Sequence, residues 1–306
     1  MPGPELITSA QNPKIKRLLA LQKDSSLRRE TGLFVVEGQR ELGHCLGAGF
    51  TVDTVFMCPE LCGPRAWADL ASGETAPEAP LPPIEVHSNA PVTANSAQND
   101  DKGAGKWTPN GRAKVFEVSR EVYERIAYRG STEGIIAEVF TRNLPLEDLR
   151  LPDNPLIAVL ESVEKPGNLG AVLRSADAAG ADALLICDPL TDIYNPNVIR
   201  ASIGAVFTVP TVACSSDEAI AWLKAKGIQI LTAQLQDSSL YYDRDLTLPT
   251  ALVLGTESTG LSDRWREAAD AHIRIPMLGS LDSLNVSVSA AILLFEAVRQ
   301  RQGGTA

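Results

Sequence analysis

The stretch that decides the fold is residues 156–188, LIAVLESVEKPGNLGAVLRSADAAGADALLICD. Apolar runs at Leu156–Leu160 and Ala183–Asp188 predict two short strands, and an apolar stripe at helical spacing predicts a helix over Leu169–Ala179 between them. Strands that are apolar on both faces and joined through a helix are typical of parallel sheets with helices on both faces. This stretch therefore predicts an α/β fold.

The rest of the C-terminal half repeats this alternation. Further strands are predicted at Val206–Val212, Gln229–Gln234, Ala251–Leu254 and His272–Ile275. Helices are predicted between and after them, at Asn197–Gly204, Asp217–Lys226, Ser262–Ala268 and Leu284–Arg301. Residues 155–306 are therefore expected to form one domain around a parallel sheet.

A smaller α/β domain is expected before it, over residues 1–141. An amphipathic helix is predicted over residues 13–24, and strands at Leu33–Glu37 and Val52–Cys58 flank a predicted helix at Gly38–Ala48. Strand character resumes at Val115–Val118 and Gly134–Phe140, around a predicted helix at Arg120–Tyr128.

Two segments lack the composition of a packed core. Residues 71–113 are rich in proline, glycine and small polar residues, which predicts a flexible, exposed insertion in the N-terminal domain. Residues 142–154 contain prolines and are expected to link the two domains.

Composition restricts the classes of function. The chain is 44% hydrophobic and 22% charged, which indicates a globular protein, and no apolar stretch is long enough to span a membrane. Its five cysteines are scattered and its three histidines isolated, which predicts a soluble cytoplasmic protein with reduced thiols, without a metal site or a Ser-His-Asp triad. No Gly-x-Gly-x-x-Gly follows the first strand and no P-loop occurs, which disfavours dinucleotide enzymes and P-loop ATPases.

Charge is distributed unevenly along the chain. The whole sequence carries −10, whereas residues 1–40 hold seven Lys/Arg and four Asp/Glu, a net charge of +3. An acidic protein can bind RNA through a local basic patch, because exposed charges are screened beyond about 10 Å. The candidate RNA contacts are Lys14, Lys16, Arg17, Arg28 and Arg29; alternatively, these residues form a solvated helix face.

Three segments concentrate polar and small residues at predicted strand ends or helix starts. They are Pro166–Arg174, Gly255–Gly260 and Ser283–Ser287. Ligand sites of open α/β sheets gather at the carboxyl ends of the strands. In the first segment, Asn168 is expected to cap a helix and Arg174 to point toward this edge, unless Arg174 pairs with Asp177.

The other two segments supply further candidate groups. An apolar strand runs into Gly255, which allows a ligand to approach the backbone closely. Glu257 in the following loop either fixes a neighbouring loop, touches substrate, or stabilises the start of the next helix. Ser283, Asn285 and Ser287 together provide more hydrogen-bonding groups than one helix start requires.

In their order and spacing, these segments resemble the three motifs of the SpoU (TrmH) family of RNA ribose 2′-O-methyltransferases, within the SPOUT superfamily. The resemblance covers about 155–300 and rests on Pro-Gly-Asn-Leu-Gly-Ala…Arg and Ser-Leu-Asn-Val-Ser-Val-Ser-Ala-Ala. Residues 5–60 also resemble the family's N-terminal substrate-binding domain, which is similar to a ribosomal-protein fold. The insertion at 71–113 departs from its usual compact form.

The resemblance implies S-adenosyl-L-methionine as cofactor, a trefoil knot in the C-terminal domain, and a homodimer with the active site near the interface. The residues that match positions tied to catalysis are Asn168, Arg174, Glu257, Ser283 and Asn285. Those that match positions around the cofactor are Leu254, Gly255, Ile275, Met277, Leu284 and Asn285.

The expected reaction is methyl transfer to a ribose 2′-hydroxyl of RNA, with ribosomal RNA favoured over transfer RNA. Two alternatives remain open at this point. One is a non-catalytic RNA-binding factor for ribosome assembly that keeps the fold, and the other is a methyltransferase that acts on something other than RNA.

Overall fold

The computed structural model describes residues 4–62, 113–128, 133–256, 259–280 and 282–303. The predicted insertion at 71–113 lies outside these residues, apart from its last position. The chain divides into two compact units: Met1–Arg142 with Tyr194–Pro196, and Asn143–Ile193 with Asn197–Ala306. Each unit contains its own sheet and its own hydrophobic core.

The first unit contains a five-stranded sheet in the order β1-β4-β3-β5-β2. Its strands are β1 (Glu5–Ile7), β2 (Leu33–Glu37), β3 (Val52–Met57), β4 (Lys114–Val118) and β5 (Ile135–Phe140). Strands β1, β4 and β3 are parallel, whereas β5 runs antiparallel to both β3 and β2. The predicted small α/β domain is therefore mixed in its strand directions.

The described residues of this unit form five helices. They are α1 (Pro13–Lys23), α2 (Ser25–Thr31), α3 (Gln39–Gly47), α4 (Pro59–Cys62) and α5 (Arg120–Ile126), and α2 and α4 were not predicted. Helix α1 begins where Asn12 accepts a hydrogen bond from the backbone N of Lys14 at 2.9 Å, and Pro13 occupies its first turn. Its buried residues Ile15, Leu18 and Leu21 pack into the core of the unit.

The second unit contains a seven-stranded sheet in the order β10-β12-β9-β11-β6-β7-β8. Its strands are β6 (Leu156–Glu161), β7 (Ala183–Cys187), β8 (Thr211–Cys214), β9 (Gln229–Ala233), β10 (Ser239–Leu240), β11 (Thr250–Leu254) and β12 (Ala271–Arg274). Every neighbouring pair is parallel, which confirms the predicted α/β class. The central strands β6, β7 and β11 are buried along their whole length.

Six helices accompany this sheet within the part of the unit that the structure describes. They are α6 (Pro166–Ala179), α7 (Pro196–Ala201), α8 (Ala205–Thr208), α9 (Ser216–Ala225), α10 (Asp263–Ala268) and α11 (Val286–Gly303). Helix α6 packs closely on α7, because a Cβ atom on Gly170 would lie 2.4 Å from the Cβ of Ala201. No described helix has the length and hydropathy that crossing a membrane requires.

The structure corrects one strand prediction in this unit. The strand predicted at Val206–Val212 begins only at Thr211, because the chain first forms helix α8, which packs on α6. Local β propensity is overridden there by tertiary packing. The linker predicted at 142–154 is in part packed, since Leu146 and Leu149 are buried in the core of this unit.

Parallel strand directions determine where the site can form. Strands β6, β11 and β12 all end at the same edge of the sheet, so the segments after Glu161, Leu254 and Arg274 meet there. These are the segments that the sequence singled out. The trefoil knot implied by the family resemblance stays a prediction.

Candidate active site at the carboxyl edge of the parallel sheet

The loop after β11 closes on itself. The backbone N of Gly260 donates to the carbonyl of Thr256 at 2.9 Å, and Gly260 has a positive φ of 68°. A Cβ atom on Gly255 would lie 2.2 Å from both the carbonyl carbon and the oxygen of Gly260. Glycine was expected at 255 to admit a ligand, but its nearest neighbour is the chain itself, so only glycine fits this turn. Glu257, predicted in this loop as a catalytic residue, lies outside the described residues.

Helix α6 begins earlier than predicted, which changes the role of Asn168. Pro166 is its first residue, and Lys165 occupies the N-cap position without a side-chain capping bond. Proline suits the first position of a helix because a backbone N–H there has no partner within the helix, and proline lacks that N–H. Asn168 therefore stands in the first turn and is not the N-cap that the sequence predicted.

The side chain of Asn168 instead meets the third motif. The Nδ2 of Asn285 donates to the Oδ1 of Asn168 at 3.1 Å, across 117 positions of sequence. Asn285 also caps α11, since its Oδ1 accepts from the backbone N of Ser287 at 3.0 Å and from the Ser287 hydroxyl at 2.6 Å. One amide thus starts α11 and joins it to the first turn of α6.

Arg174 lies on the exposed side of α6. The alternative of an Arg174–Asp177 pair is not observed; Asp177 instead accepts a hydrogen bond from the hydroxyl of Thr208 on α8. Across the described ranges, no hydrogen bond or ion pair involves the Arg174 guanidinium. Its donors are therefore available to a ligand.

A cavity of about 280 Å³ lies at the same edge of the sheet. Predicted cofactor or catalytic residues that line it are Leu254, Gly255, Ile275, Met277, Ser283 and Leu284. Asn168, Arg174 and Asn285 are not part of this lining, although Asn285 directly follows Leu284 in the chain. The structure thus gathers one group of predicted residues around the cavity. It pairs Asn168 of the first motif segment with Asn285 of the third, next to the lining residue Leu284.

Sequence reasoning missed several lining residues. These are Gln234, Leu235, Gln236, Arg266, Arg274 and Asp282, among others. The first three follow β9, whose position between β11 and β12 places its carboxyl end beside the predicted loops. The carboxyl-edge rule would have indicated them if the order of the strands had been known.

The chemistry of the lining fits S-adenosyl-L-methionine. Leu254, Ile275, Met277 and Leu284 offer apolar surface of the kind that an adenine ring requires. Arg266, Arg274 and Asp282 offer charges of both signs, which a zwitterionic amino-acid group requires. No group of three or more His, Cys, Asp or Glu side chains in the described residues could hold a metal ion.

A buried polar network supports the loop after β11. Glu161, at the end of β6, is 6% exposed and accepts from the backbone N of Ser262 at 2.8 Å. The indole N–H of the fully buried Trp265 donates to the hydroxyl of Ser216 at 2.9 Å, and that hydroxyl donates to Asp188 at 2.6 Å. These bonds fix the start of α10 and hence the end of the loop.

The basic residues predicted to bind RNA have different environments in the first unit. Arg28 is only 3% exposed, and its Nη1 donates to the carbonyl of Leu21 at 2.6 Å, so burial removes it from the candidate surface. Arg17 bonds to the carboxylates of Asp53 and Glu138. Both arginines therefore have structural partners within the unit.

The remaining basic candidates differ in how strongly the protein engages them. Lys14 pairs with Glu5 at 2.9 Å, and its ammonium lies 4.4 Å from the ring centre of Phe116. Lys16 and Arg29 are exposed, and Arg29 makes only a 3.5 Å contact with the hydroxyl of Ser26. Lys16 and Arg29 are thus the members of the set least engaged by the protein.

Comparisons with known proteins agree with this arrangement. The model of the SpoU rRNA Methylase family matches residues 155–295, and that of the MRM3-like substrate binding domain matches residues 12–137. A solved RNA 2′-O ribose methyltransferase is 36% identical with a TM-score of 0.72, over 97% of this chain and 99% of that chain. The AdoMet-bound rRNA methyltransferase from Sinorhizobium meliloti is 28% identical with a TM-score of 0.76, over 96% and 97%.

Two curated relatives extend the comparison. The 23S rRNA (guanosine-2′-O-)-methyltransferase RlmB of Pseudomonas putida is 38% identical over 63% of this chain and 79% of its own length. The 23S rRNA (uridine(2479)-2′-O)-methyltransferase of Streptomyces viridochromogenes is 39% identical over 53% of this chain and 59% of its own length. With the three motifs assembled at one edge of a parallel sheet, this chain belongs to the SpoU rRNA methylase family.

Proposed function

We propose that this protein transfers a methyl group from S-adenosyl-L-methionine to a ribose 2′-hydroxyl of ribosomal RNA. The observation that carries the proposal is the convergence of Leu254, Gly255, Ile275, Met277 and Leu284 on one cavity. Leu284 directly precedes Asn285, which pairs with Asn168. The names of the curated relatives, which are 23S rRNA 2′-O-methyltransferases, support ribosomal RNA over transfer RNA.

The chemistry asks the protein mainly for positioning. S-adenosyl-L-methionine would supply a methyl group on a sulfonium centre. The ribose 2′-oxygen would bond to that methyl group and give up its proton to solvent, and the sulfur would leave as a neutral thioether. The protein must hold the ribose 2′-oxygen in line at about 3 Å and keep it there. Catalytic residues in this design bind and orient the ribose, and a covalent intermediate is not needed.

Arg174 is proposed to orient the ribose. A guanidinium has a pKa above about 12 and stays charged, so it is a poor general base. Its unengaged donors suit a phosphate oxygen next to the reacting nucleotide, and its charge favours ionisation of the nearby hydroxyl. The amide of Asn168, held by Asn285, is proposed to fix the ribose from the other side.

The test is methyl transfer by Arg174→Ala. With a tritiated methyl donor and total RNA, activity is expected to fall about a hundredfold, because a misplaced acceptor loses the in-line geometry. Affinity for S-adenosylhomocysteine, measured by calorimetry, should not change. Arg150→Ala removes another exposed arginine of the same unit and should keep full activity. Retained activity in Arg174→Ala would show that Arg174 does not orient the ribose.

The substrate has its own test. Separate assays with ribosomal and transfer RNA, followed by mapping of 2′-O-methyl positions with and without the gene, identify the acceptor. Methyl transfer to transfer RNA alone would show that transfer RNA, and not ribosomal RNA, is the substrate. Absence of transfer to any RNA by the wild-type protein would favour the non-catalytic assembly factor. Transfer only to other molecules would favour the remaining alternative.

We also propose a homodimer in the cytoplasm, with the knot and the interface near the site as the family resemblance implies. Helix α11 presents Val288 and Phe295 as exposed apolar side chains seven positions apart, on one helical face. Phe295→Glu is expected to give a monomer by light scattering. The wild-type protein should be twice that mass, and a wild-type monomer would contradict the proposal.

The RNA surface of the first unit is proposed to include Lys16 and Arg29, with Lys14 and Arg17 contributing where their acidic partners permit. Buried Arg28 is not part of it. We further propose that the chain has two domains, at residues 1–141 and 155–306, joined by a linker at 142–154.

A further inference from the structure

Two arginines line the cavity, Arg266 and Arg274. Arg274 is anchored through its Nη1, which donates to the carbonyl oxygen of Ser238. The Nε of Arg266 is buried and has no hydrogen-bond partner in the part of the chain that the structure describes. Its Nη1 lies 3.6 Å from Asp263, beyond hydrogen-bonding distance, and the Asp263 side chain is 87% exposed. That ion pair is weak, so Arg266 retains capacity for another anion.

Helix α10 holds Arg266 in place. Ser262 is tied to buried Glu161 at 2.8 Å, and Trp265, the residue before Arg266, is fully buried and bonded through its indole N–H to Ser216. At the loop itself, a Cβ atom on Gly260 would lie 4.0 Å from the Nη2 of Arg266. The guanidinium therefore borders both the Gly255–Gly260 turn and the cavity, on a backbone that is already fixed before a ligand binds.

The ligand that fits this group is a carboxylate. The Arg266 side chain is 40% exposed, and a guanidinium matches a planar carboxylate through two parallel hydrogen bonds. The only anionic group of S-adenosyl-L-methionine is the carboxylate of its amino-acid end. We propose that Arg266 binds this carboxylate and is a cofactor-binding residue outside the motif positions. The inference rests on the proposed function, in which this cavity holds the cofactor.

Two ligands that differ in this group provide the test. S-adenosylhomocysteine keeps the amino-acid end, whereas 5′-methylthioadenosine has the same adenosine and a thioether but no carboxylate. Calorimetry without RNA measures the dissociation constants of both for the wild type, Arg266→Gln and Arg266→Lys. Arg264→Gln is the matched control, because Arg264 is exposed on the same helix and pairs with Asp217.

Arg266→Gln is expected to weaken S-adenosylhomocysteine binding about tenfold to a hundredfold, the range for a charge-assisted hydrogen bond. Binding of 5′-methylthioadenosine should change less than about threefold. Arg266→Lys should recover part of the loss, because it keeps the charge without the fork. Arg264→Gln should bind both ligands as the wild type does, and thermal unfolding confirms that each variant is folded.

The other outcomes overturn the proposal in distinguishable ways. Equal weakening of both ligands by Arg266→Gln would mean that the residue only supports the loop. Unchanged binding of both, with weaker RNA binding, would assign Arg266 to a phosphate of the substrate. If wild-type protein bound neither ligand, the cofactor assignment of the cavity would fail, and the inference about Arg266 would fall with it.

Discussion

Two regions differ in how well the sequence predicted them. One is the set of loops at the carboxyl edge of the seven-stranded sheet, and the other is the pair of basic helices in the first unit. In both regions, the residue types in the sequence predicted a set of residues that act together in function. The loops converge, because parallel strands bring their ends to one edge. The basic residues are instead divided by their partners: Arg28 is buried, and Arg17 bonds to Glu138, 121 positions away. Strand topology makes position predictable, whereas the availability of a charge depends on distant residues.

Gly255→Ala is expected to have the largest effect on the loop region. The new methyl group would lie 2.2 Å from backbone atoms of Gly260, so the turn must open. We expect a loss of about 3 kcal/mol in the free energy of unfolding and about a hundredfold in affinity for S-adenosylhomocysteine. Denaturant unfolding and calorimetry measure the two effects.

Gly279→Ala is the control for this substitution. A Cβ atom at Gly279 meets no heavy atom within 4 Å, so the variant should behave as the wild type does. If both alanine variants bound the ligand equally well, close packing of the Gly255 turn would not be what shapes the cavity.

A smaller effect is expected when the two roles of Asn285 are separated. Asn285→Ala removes both the helix cap and the bond to Asn168, and should lose about 1 kcal/mol of stability together with activity. Asn285→Asp keeps an oxygen that accepts from Ser287, but lacks the Nδ2 donor. It should unfold as the wild type does while methyl transfer falls about tenfold. Full activity in Asn285→Asp would show that the Asn168 bond is dispensable.

Much of the second unit was predictable, for a physical reason. Doubly apolar strands and intervening amphipathic helices identify a parallel sheet, and its carboxyl edge contains the motif loops. The pairing of Asn168 with Asn285 was not readable, because local capping rules favoured Asn168 as an N-cap and could not reveal that Pro166 starts the helix. The short strand β10 was missed because two residues carry no periodicity.

The basic region allows a contrast between exposed and buried charges. Lys16→Ala and Arg29→Ala should each weaken RNA binding a few-fold and lower the slope of log affinity against log salt by about 0.7–0.9. Arg28→Ala should leave that slope unchanged but lose about 1–3 kcal/mol of stability, because the carbonyl of Leu21 loses its partner. Binding titrations at several salt concentrations measure the slopes. A lower slope for Arg28→Ala would return that residue to the RNA surface.

Glu138→Gln should have the smallest effect, below about 1 kcal/mol near pH 7. Arg17 keeps its 2.9 Å bond to Asp53, and its side chain is 42% exposed, so water can compensate for the lost charge. Burial raises the pKa of the Glu138 carboxyl, although the hydrogen bond and charge of Arg17 oppose the shift.

The sign of the pH dependence follows from this shift. The folded pKa lies above the unfolded value of about 4.3, so the stability contributed by protonated Glu138 is complete below that pH. It declines as the pH rises through the folded pKa, and Glu138→Gln should lack this decline. Unfolding curves measured from pH 4 upward test the difference, and parallel profiles for the two proteins would contradict it.

The cap of α11 also has a consequence for how the protein is made. Among the elements of the site, α11 comes last in the chain, and its Asn285 is the residue that engages Asn168 at the start of α6. Synthesis proceeds from the N-terminus at about 5–20 residues per second, and α11 leaves the ribosome after every other part of the site. The first motif of a nascent chain is therefore synthesised several seconds before the third. The active site can form only after that interval.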